Sequence, residues 1–269
     1  MFASSAFDAP PLARQAFSFS KARIASDLEP VVFLPGLLCD QALWRPQIEA
    51  LADRVAPMVA DLTLDDDIRA MARRALAAAP PRFSLAALSM GGYVALEIMR
   101  LSPERVTRLA LIDTSASPDS PQRADRRRAG LALLGRGRFL GVTTPLMEEL
   151  VHASKTSGPV AESLKAMAAR VGGAAFLRQQ TAILNRPDAR DVLSTIRVPT
   201  LIAVGDSDRI TPLPVAHLMH RAIPGAQLYV FENCGHLPVL EQPDETTQLL
   251  RAWLDEPRGA FLGAGDWAS

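Results

Sequence analysis

The chain contains a series of short apolar runs, and these runs constrain its fold more than any other feature. They are nearly continuous, which is typical of strands that are buried on both faces of a parallel sheet. Four runs are clear and two are weaker; they occupy residues 31–34, 83–88, 108–112 and 200–204, then 55–60 and 227–231. Segments with helical spacing of apolar residues lie between them, at 68–76, 215–223 and 249–254. This alternation predicts an α/β fold with a mostly parallel, doubly wound sheet.

One interval, residues 118–196, interrupts the alternation of strands and helices. It contains helical stretches separated by glycines and prolines and no convincing strand. Helical insertions in α/β sheets tend to cover the strand ends where ligands bind. We therefore predict a helical cap at 118–196 on a core formed by residues 30–117 and 197–256. Residues 1–29 are expected to form a weakly ordered extension or an edge strand, and residues 257–269 a C-terminal tail.

The balance of charges excludes several classes of protein. Lysine plus arginine and aspartate plus glutamate each number 29, so the formal net charge is zero. No general attraction to nucleic acid or to anionic lipid is therefore expected. The sequence has no apolar run of membrane-spanning length and starts with no secretory signal pattern. Because Cys39 and Cys234 are too few for a disulfide framework, we expect a reduced, cytoplasmic protein. We expect it to be a monomer or a homodimer.

The sequence carries no motif for a cofactor or a metal. It has neither a glycine-rich dinucleotide loop after the first strand nor a phosphate-binding Walker loop. His217 and His220 are three residues apart on one predicted helix, which can suggest a metal pair. They lie off the apolar stripe of that helix, however, and no neighbouring Cys, Asp or Glu completes a set of ligands. We predict no cofactor and no metal, and a small molecule as the partner.

The segment Ala87-Leu88-Ser89-Met90-Gly91-Gly92 joins a predicted buried strand directly to a helical pattern. This arrangement has the spacing of a nucleophile elbow, with alanine rather than glycine at the first small position. The positions two before and two after the serine must be small because strand and helix pass closely there. A serine that merely caps the helix is the alternative interpretation. The elbow interpretation makes Ser89 a candidate nucleophile.

A serine hydroxyl needs a base within hydrogen-bond reach, and that base needs a carboxylate to orient it. The strand at 200–204 is followed by Asp206 and Asp208, and the strand at 227–231 is followed by His236. All three lie just past the carboxyl ends of their strands, as Ser89 does. The order serine, acid, histidine is the one that this class of fold uses. The three segments are therefore predicted to meet at one edge of the sheet.

These motifs resemble those of the α/β-hydrolase superfamily, specifically its small, cofactor-free, esterase-like members with a helical cap. The similarity covers roughly residues 30–256 and rests on segments 34–38, 87–92, 205–212 and 235–243. In the family, the acid lies three residues after the glycine of the third segment. The resemblance thus implies Asp208, rather than Asp206, as the acid. It likewise implies His236 as the base and Ser89 as the nucleophile, while Asp206 is expected to cap local backbone amides.

The resemblance also implies an oxyanion hole made by two backbone N–H groups. In the family, the loop after the first strand usually reads His-Gly-x, and the residue after the glycine supplies one donor. This sequence has Pro35-Gly36-Leu37, so the donors are the amides of Leu37 and Met90, while the histidine that normally buttresses the loop is replaced by Pro35. Two such donors aimed at developing negative charge stabilise the transition state.

The function implied is hydrolysis of carboxylic esters of small to medium size through an acyl-enzyme. The same triad can serve C–C bond hydrolysis, thioester cleavage or perhydrolysis, and a binding protein descended from hydrolases is a further alternative. The cap is expected to supply an apolar pocket wall from residues such as Phe139, Leu140, Leu146, Met147 and Leu150, with Phe139 and Met147 as the candidate pocket residues.

Several other polar residues have competing interpretations. Asp113 follows the strand at 108–112 and is expected to be structural, with the acid role as the alternative. His152 is expected at a surface helix end rather than against the substrate. The cluster Arg123, Arg126, Arg127 and Arg128 is expected on a solvated helix face, with an anionic substrate handle as the alternative. Cys39 and Cys234 are expected to be small buried thiols.

Overall fold

The computed structural model describes residues 28–134 and 139–256. In this part of the chain, six strands form one sheet in the order β2-β1-β3-β4-β5-β6, and every neighbouring pair is parallel. The strands are β1 Glu29–Leu34, β2 Val55–Val59, β3 Phe83–Leu88, β4 Val106–Ile112, β5 Thr200–Gly205 and β6 Gln227–Phe231. All six predicted runs therefore form strands, and the predicted α/β-hydrolase type of fold is confirmed.

Ten α-helices lie among the described residues. Those that connect or follow the strands are α1 Arg45–Ala50, α2 Ile68–Ala78, α3 Met90–Leu101, α8 Leu213–Ala222, α9 Pro238–Glu241 and α10 Pro243–Asp255. The interval 118–196 contains α4 Pro121–Leu134, α5 Thr144–Leu150, α6 Pro159–Leu184 and α7 Arg190–Leu193, and no strand in its described part. Helix α6 is interrupted at Gly172, whose φ of 75° lies in the left-handed region.

Alternate residues of the strands point into two apolar cores, one on each face of the sheet. Leu85 and Ala87 of β3 face the core that includes α2, α3 and α8, whereas Ala86 and Leu88 face the core that includes α10 and α6. Because both faces of the sheet are covered, the strands can be continuously apolar. The doubly wound arrangement follows from this burial.

The strand register brings the carboxyl ends of the strands to one edge. Leu34 of β1 lies opposite Ala87, Leu88 of β3 lies opposite Ile112, and Gly205 of β5 lies opposite Phe231 of β6. The loops that follow these residues therefore emerge side by side. The strand order also reverses around β1, and ligands of open α/β sheets bind at such a switch point.

Two predicted boundaries differ from the structure or fall outside it. Strand β1 begins at Glu29, one residue inside the predicted N-terminal extension. The described residues begin at residue 28, so the possible edge strand predicted within residues 1–29 lies outside them except for residues 28 and 29. The predicted C-terminal tail at 257–269 lies wholly outside them. In the part of the chain that the structure describes, no helix combines the length and the apolar character that crossing a membrane requires.

Candidate active site

Ser89 lies in a sharp turn between β3 and α3. Its backbone has φ 54° and ψ −116°, a strained conformation for a residue with a side chain. A Cβ added to Gly91 would lie 2.4 Å from the carbonyl oxygen of Leu34. Helix α3 therefore passes too close to the end of β1 for any larger residue at position 91. The Ser89 carbonyl accepts a 2.7 Å hydrogen bond from Thr114 Oγ1. This is the geometry of a nucleophile elbow.

The structure brings Ser89, Asp208 and His236 together. His236 Nε2 lies 2.7 Å from Ser89 Oγ, and His236 Nδ1 lies 2.8 Å from Asp208 Oδ2. Asp208 and His236 are both buried. The three side chains thus form a continuous line of hydrogen bonds although they come from loops after β3, β5 and β6.

Asp208 is held by more than the histidine. Its Oδ1 accepts from the backbone amides of Ile210 and Thr211 at 2.7 and 3.0 Å, and its Oδ2 accepts from Thr211 Oγ1 at 2.7 Å. Burial by itself would raise the pKa of Asp208, but the facing His236 and these hydrogen bonds hold that pKa well below its usual range. Asp208 is therefore an ionised carboxylate with a fixed orientation.

A second carboxyl group, Asp113, lies beside Asp208 in the opposite charge state. Asp113 is 1% exposed, and its Oδ1 accepts from the amide of Gly205 at 2.9 Å. Burial, together with the negative charge of Asp208 and a hydrogen bond to it, raises the pKa of Asp113 well above its usual range. Asp113 is thus held as the neutral acid beside Asp208, because two adjacent carboxylates cannot both ionise in a buried place. This arrangement agrees with a structural role for Asp113.

Asp113, Asp208 and His236 place ligand-type atoms within 4.8 Å of one another, a spacing that can hold a cation. The hydrogen bond between His236 and Asp208 and the bond from the Gly205 amide to Asp113 already account for this proximity. His217 and His220 are half-buried on α8 and join no such cluster among the described residues. The apolar stripe expected on that helix is narrower than predicted, since Leu218 is 58% exposed while Ala216 and Met219 are buried.

Asp206 serves a local turn. Its two carboxylate oxygens accept from the backbone amides of Asn233 and Cys234 at 2.8 and 3.1 Å. These bonds join the loop after β5 to the loop that carries His236. The structure therefore places Asp206 in backbone capping and Asp208 against the imidazole.

The two predicted oxyanion donors lie on either side of Ser89. A Cβ added to Gly36 would lie 3.5 Å from Ser89 Cβ, so the loop after β1 contacts the elbow. Among the described residues the amide of Leu37 donates to no protein group. Met90 begins α3, and the first amides of a helix have no partner within it. Both amides are thus available to a ligand.

The loop that carries His236 is held by a buried glutamate. Glu241 accepts from the backbone amides of His152, Gly235 and Leu237 at 2.8, 3.1 and 3.1 Å. The amide of His236 itself donates to the carbonyl of Leu150 at 2.9 Å. The end of α5 is therefore attached to the loop that carries His236. His152 contributes its backbone here, and its ring bonds Ser154 at the surface.

A cavity of about 760 Å³ opens above Ser89 and His236. Its apolar wall includes Val142, Leu146, Leu150, Leu164, Phe176, Ile183 and Val215. Of the residues predicted for this wall, Leu146 and Leu150 line the cavity, whereas Phe139, Leu140 and Met147 are not among its lining residues. Met147 is buried in the core because it lies about 100° around α5 from Leu146. Phe139 packs against Phe176, with ring centroids 5.6 Å apart, and Phe176 lines the cavity instead.

Four arginines also line this cavity: Arg123, Arg126, Arg127 and Arg209, which we call the arginine mouth. Arg127 pairs with buried Asp119, which Arg186 also contacts. Arg126 and Arg209 are exposed and make no ion pair with any described residue. Glu149 is the one acidic residue among the described lining residues. Of the predicted solvated cluster, Arg128 is the member that does not line the cavity, and it pairs with Asp125.

Both cysteines are buried, as expected of small apolar thiols. Cys39 lines the cavity, and burial raises its pKa to about 12. Burial also raises the pKa of Cys234 above its ordinary value. Neither thiol is ionised at neutral pH, so neither competes with Ser89 as a nucleophile.

Sequence reasoning missed the roles of Thr211, Glu241 and Gln179. Thr211 lies three residues after Asp208, a spacing at which a side chain can return to a carboxylate. Glu241 lies within segment 235–243, on which the family resemblance rests, but the amide of His152 comes from a segment that only folding brings to it. Gln179 is a fully buried polar residue on α6, and its neighbours are distant in sequence.

Comparisons with known proteins agree with this architecture. The sequence matches the Alpha/beta hydrolase family over residues 31–249. It is 28% identical over 236 residues to a pimeloyl-[acyl-carrier protein] methyl ester esterase of Nitrosomonas europaea, which covers 80% of this chain and 91% of that protein. The enzyme of the same name from a Neisseria meningitidis serogroup A strain is 30% identical over 191 residues, 65% of this chain and 59% of that relative.

Solved structures show the same fold. A thermophilic esterase from Thermogutta terrifontis superposes with a TM-score of 0.71 at 31% identity, covering 84% of this chain and 89% of that one. A hydrolase from Pseudomonas aeruginosa superposes with a TM-score of 0.76 at 21% identity, covering 86% and 92%. With a family match over most of its length and this elbow at the sheet edge, the chain belongs to the α/β-hydrolase family.

Proposed function

We propose that this chain hydrolyses carboxylic esters of small to medium size through an acyl-enzyme. The observation that carries the proposal is the hydrogen-bonded line from Ser89 through His236 to ionised Asp208 at the floor of a cavity. A nucleophile, a base and an orienting carboxylate in contact are what acyl transfer requires. The named relatives include esterases, which supports ester bonds as the target.

In the first half of the reaction, Ser89 Oγ attacks the carbonyl carbon of the ester while His236 Nε2 takes its proton. Because Asp208 accepts from Nδ1, the neutral imidazole presents an unprotonated Nε2 to the serine. The ionised Asp208 then stabilises the imidazolium. The oxyanion that forms accepts hydrogen bonds from the amides of Leu37 and Met90.

The tetrahedral intermediate collapses by expelling the alcohol, which receives the proton from His236. This step leaves an ester between the acyl group and Ser89 Oγ. A water molecule then attacks that ester as His236 takes its proton, and the second collapse returns the proton to Ser89. The products are a carboxylic acid, an alcohol and the original enzyme.

The cavity suits a substrate with an apolar chain. A volume of about 760 Å³ lies in the range of small-molecule sites. Helices α5 and α6 supply part of its apolar wall, so the interval 118–196 acts as the cap that shapes the acyl or alcohol pocket. The arginine mouth lines the same cavity, so an acidic group on the substrate can reach it.

A panel of substrates tests the proposal. We expect p-nitrophenyl esters of short and medium acyl chains to be cleaved, and acyl thioesters and diketones to react more slowly. A fluorophosphonate should label Ser89 stoichiometrically, as mapped by peptide mass spectrometry. Absence of both ester cleavage and labelling would overturn the proposal and favour a binding protein, whereas a preference for thioesters or diketones would reassign the bond that is cleaved.

The arginine mouth favours a narrower substrate class. Relatives named as pimeloyl-[acyl-carrier protein] methyl ester esterases act on the methyl ester of an acyl chain attached to a carrier protein. Arg126 and Arg209 can pair with an anionic group of the carrier that holds the far end of such a chain, for which a terminal carboxylate serves as the test group. We propose methyl esters of that kind as the preferred substrates. The test compares methyl esters of equal length that end in a carboxylate or in a methyl group.

A further inference from the structure

The loop after β1 contains a turn that its own sequence does not favour. The amide of Cys39 donates to the carbonyl of Gly36 at 3.2 Å, which closes a four-residue turn over residues 36–39. Leu38, at the third position of this turn, has φ 60°, while Leu37 before it has no positive φ. This is the conformation of a type II turn, whose third position normally holds glycine or asparagine. Something outside the turn must therefore hold Leu38.

That contact comes from α6. Gln179 Oε1 accepts from the amide of Leu38 at 3.1 Å, across 141 positions of sequence. Gln179 Nε2 donates to the carbonyl of Leu62 at 3.1 Å. Since Gln179 is 0% exposed, no water can replace either partner without rearrangement. The side-chain amide needs both bonds at once, because rotating it by 180° would place N–H against N–H and oxygen against oxygen.

We propose that Gln179 is a positioning residue for the oxyanion hole, acting through the peptide between Leu37 and Leu38. The inference rests on the proposed function. The Gly36 carbonyl bond orients the peptide before Leu37, and Gln179 orients the peptide after it. Leu37 is thus held on both sides, with its own amide left available. Without Gln179, the second peptide can flip toward a type I turn, in which Leu38 has a negative φ.

The contact from Gln179 supports the loop after β1, in which Pro35 stands where related proteins have a buttressing histidine. A buttress from the cap supports the oxyanion loop where the histidine of related proteins is absent. The cap is therefore part of the catalytic geometry as well as the wall of the cavity. Another attachment of the cap, in which the carbonyl of Leu150 accepts from the amide of His236, holds the loop that carries the imidazole.

The test compares two substitutions on α6. Gln179→Met removes both hydrogen bonds at nearly constant length. Arg178→Met is the matched control, because Arg178 Nε donates to the carbonyl of Thr63, in the same loop as Leu62, without touching Leu38. For Gln179→Met we expect kcat on a p-nitrophenyl ester to fall roughly tenfold to a hundredfold, since a misplaced donor loses transition-state stabilisation. We expect KM to stay within about threefold, because the donor acts in the transition state.

A transition-state analogue separates positioning from general damage. Phenylboronic acid forms a tetrahedral adduct with a catalytic serine, so its inhibition constant should weaken by the same factor as kcat/KM in Gln179→Met. Arg178→Met should leave both values near those of the wild type. Equal effects of the two substitutions on kcat and on boronate inhibition, or an unchanged kcat in a folded Gln179→Met, would overturn the inference.

Gln179→Glu provides a second variant if the methionine variant does not fold. A protonated glutamic acid can accept from Leu38 and donate to Leu62, whereas its carboxylate would oppose the Leu62 carbonyl. The kcat of this variant relative to wild type should therefore recover as pH falls, and a pH-independent ratio contradicts the inference. If the wild type itself neither cleaves esters nor binds the boronate, the proposed function fails and the inference falls with it.

Discussion

The floor and the mouth of the cavity are built on opposite principles. At the floor, Ser89, Asp208 and His236 are joined by short hydrogen bonds, and the surrounding backbone amides hold the acid and the histidine loop. At the mouth, Arg126 and Arg209 are exposed and have no acidic partner among the described residues. The difference indicates that the floor is organised before substrate arrives, whereas the mouth has charge left to be neutralised by it.

The two regions should therefore respond differently to substitution. The groups at the floor act on the chemical step itself, so removing a single atom there should lower kcat by a large factor. Exposed cations act through a solvent-screened field, and their effects are modest and depend on salt.

Ser89→Ala is expected to have the largest effect. Removing Oγ takes away the nucleophile, and ester hydrolysis should fall by about 10⁴ to 10⁶ in kcat, as for other triads. Steady-state kinetics with a p-nitrophenyl ester measure the loss. Ser154→Ala is the control, since Ser154 is exposed and bonds only the surface ring of His152. An active Ser89→Ala variant would remove Ser89 from the nucleophile role.

The two aspartates of the loop after β5 should separate by orders of magnitude. Asp208→Asn loses the acceptor that selects the imidazole tautomer, and kcat should fall by roughly 10⁴. Asp206→Asn should cost only a few fold, because it weakens amide capping at Asn233 and Cys234 without touching the imidazole. Comparable losses of kcat in the two variants, measured at saturating substrate, would contradict the role of Asp208 in orienting the imidazole of His236.

Charge removal at the mouth should discriminate between substrates. In the double variant Arg126→Gln with Arg209→Gln, kcat/KM for a methyl ester with a distal carboxylate should fall roughly tenfold, the size expected of two partly screened charge contacts. A neutral ester of equal length should be unaffected, and added salt should reduce the wild-type preference. Arg128→Gln is the control on the same helix, outside the cavity. Equal losses on both esters would indicate damage to the cap rather than lost recognition.

Asp113→Asn should have the smallest effect on catalysis and a measurable one on stability. An asparagine can accept from Gly205 and donate to Asp208, so kcat should change by no more than a few fold. The raised pKa of Asp113 means that the folded protein holds a proton that the unfolded chain releases. Folding stability therefore decreases as pH rises above the ordinary aspartate pKa, until pH reaches the folded value.

Thermal unfolding across pH tests this linkage. The asparagine has no proton to release, so the variant should gain in melting temperature over wild type as pH is raised from 5 to 8. A melting-temperature difference that stays constant across this range would show that Asp113 has the same charge in the folded and unfolded states. Asp113 would then be an ionised carboxylate in the folded protein, as Asp208 is.

Much of the fold was predictable because it depends on local patterns. The runs at 83–88 and 227–231 match β3 and β6 residue for residue, since continuous apolar segments of that length have few other ways to be buried. The meeting of Ser89, Asp208 and His236 was also predictable, because parallel strands place their following loops at one edge. The pocket wall was predictable only in part, since which of the neighbours Leu146 and Met147 faces the cavity depends on the rotation of a short helix against its surroundings.

The linear order of residues settles which chemical groups stand after which strands, because strand ends are marked by hydrophobic patterning and turn residues. It does not settle protonation or fine orientation, since these depend on neighbours distant along the chain. Asp113 becomes neutral only beside Asp208, and Leu38 keeps its left-handed turn only under Gln179. Burial makes each of these contacts strong, and burial exists only once the helices of 118–196 have packed over the sheet.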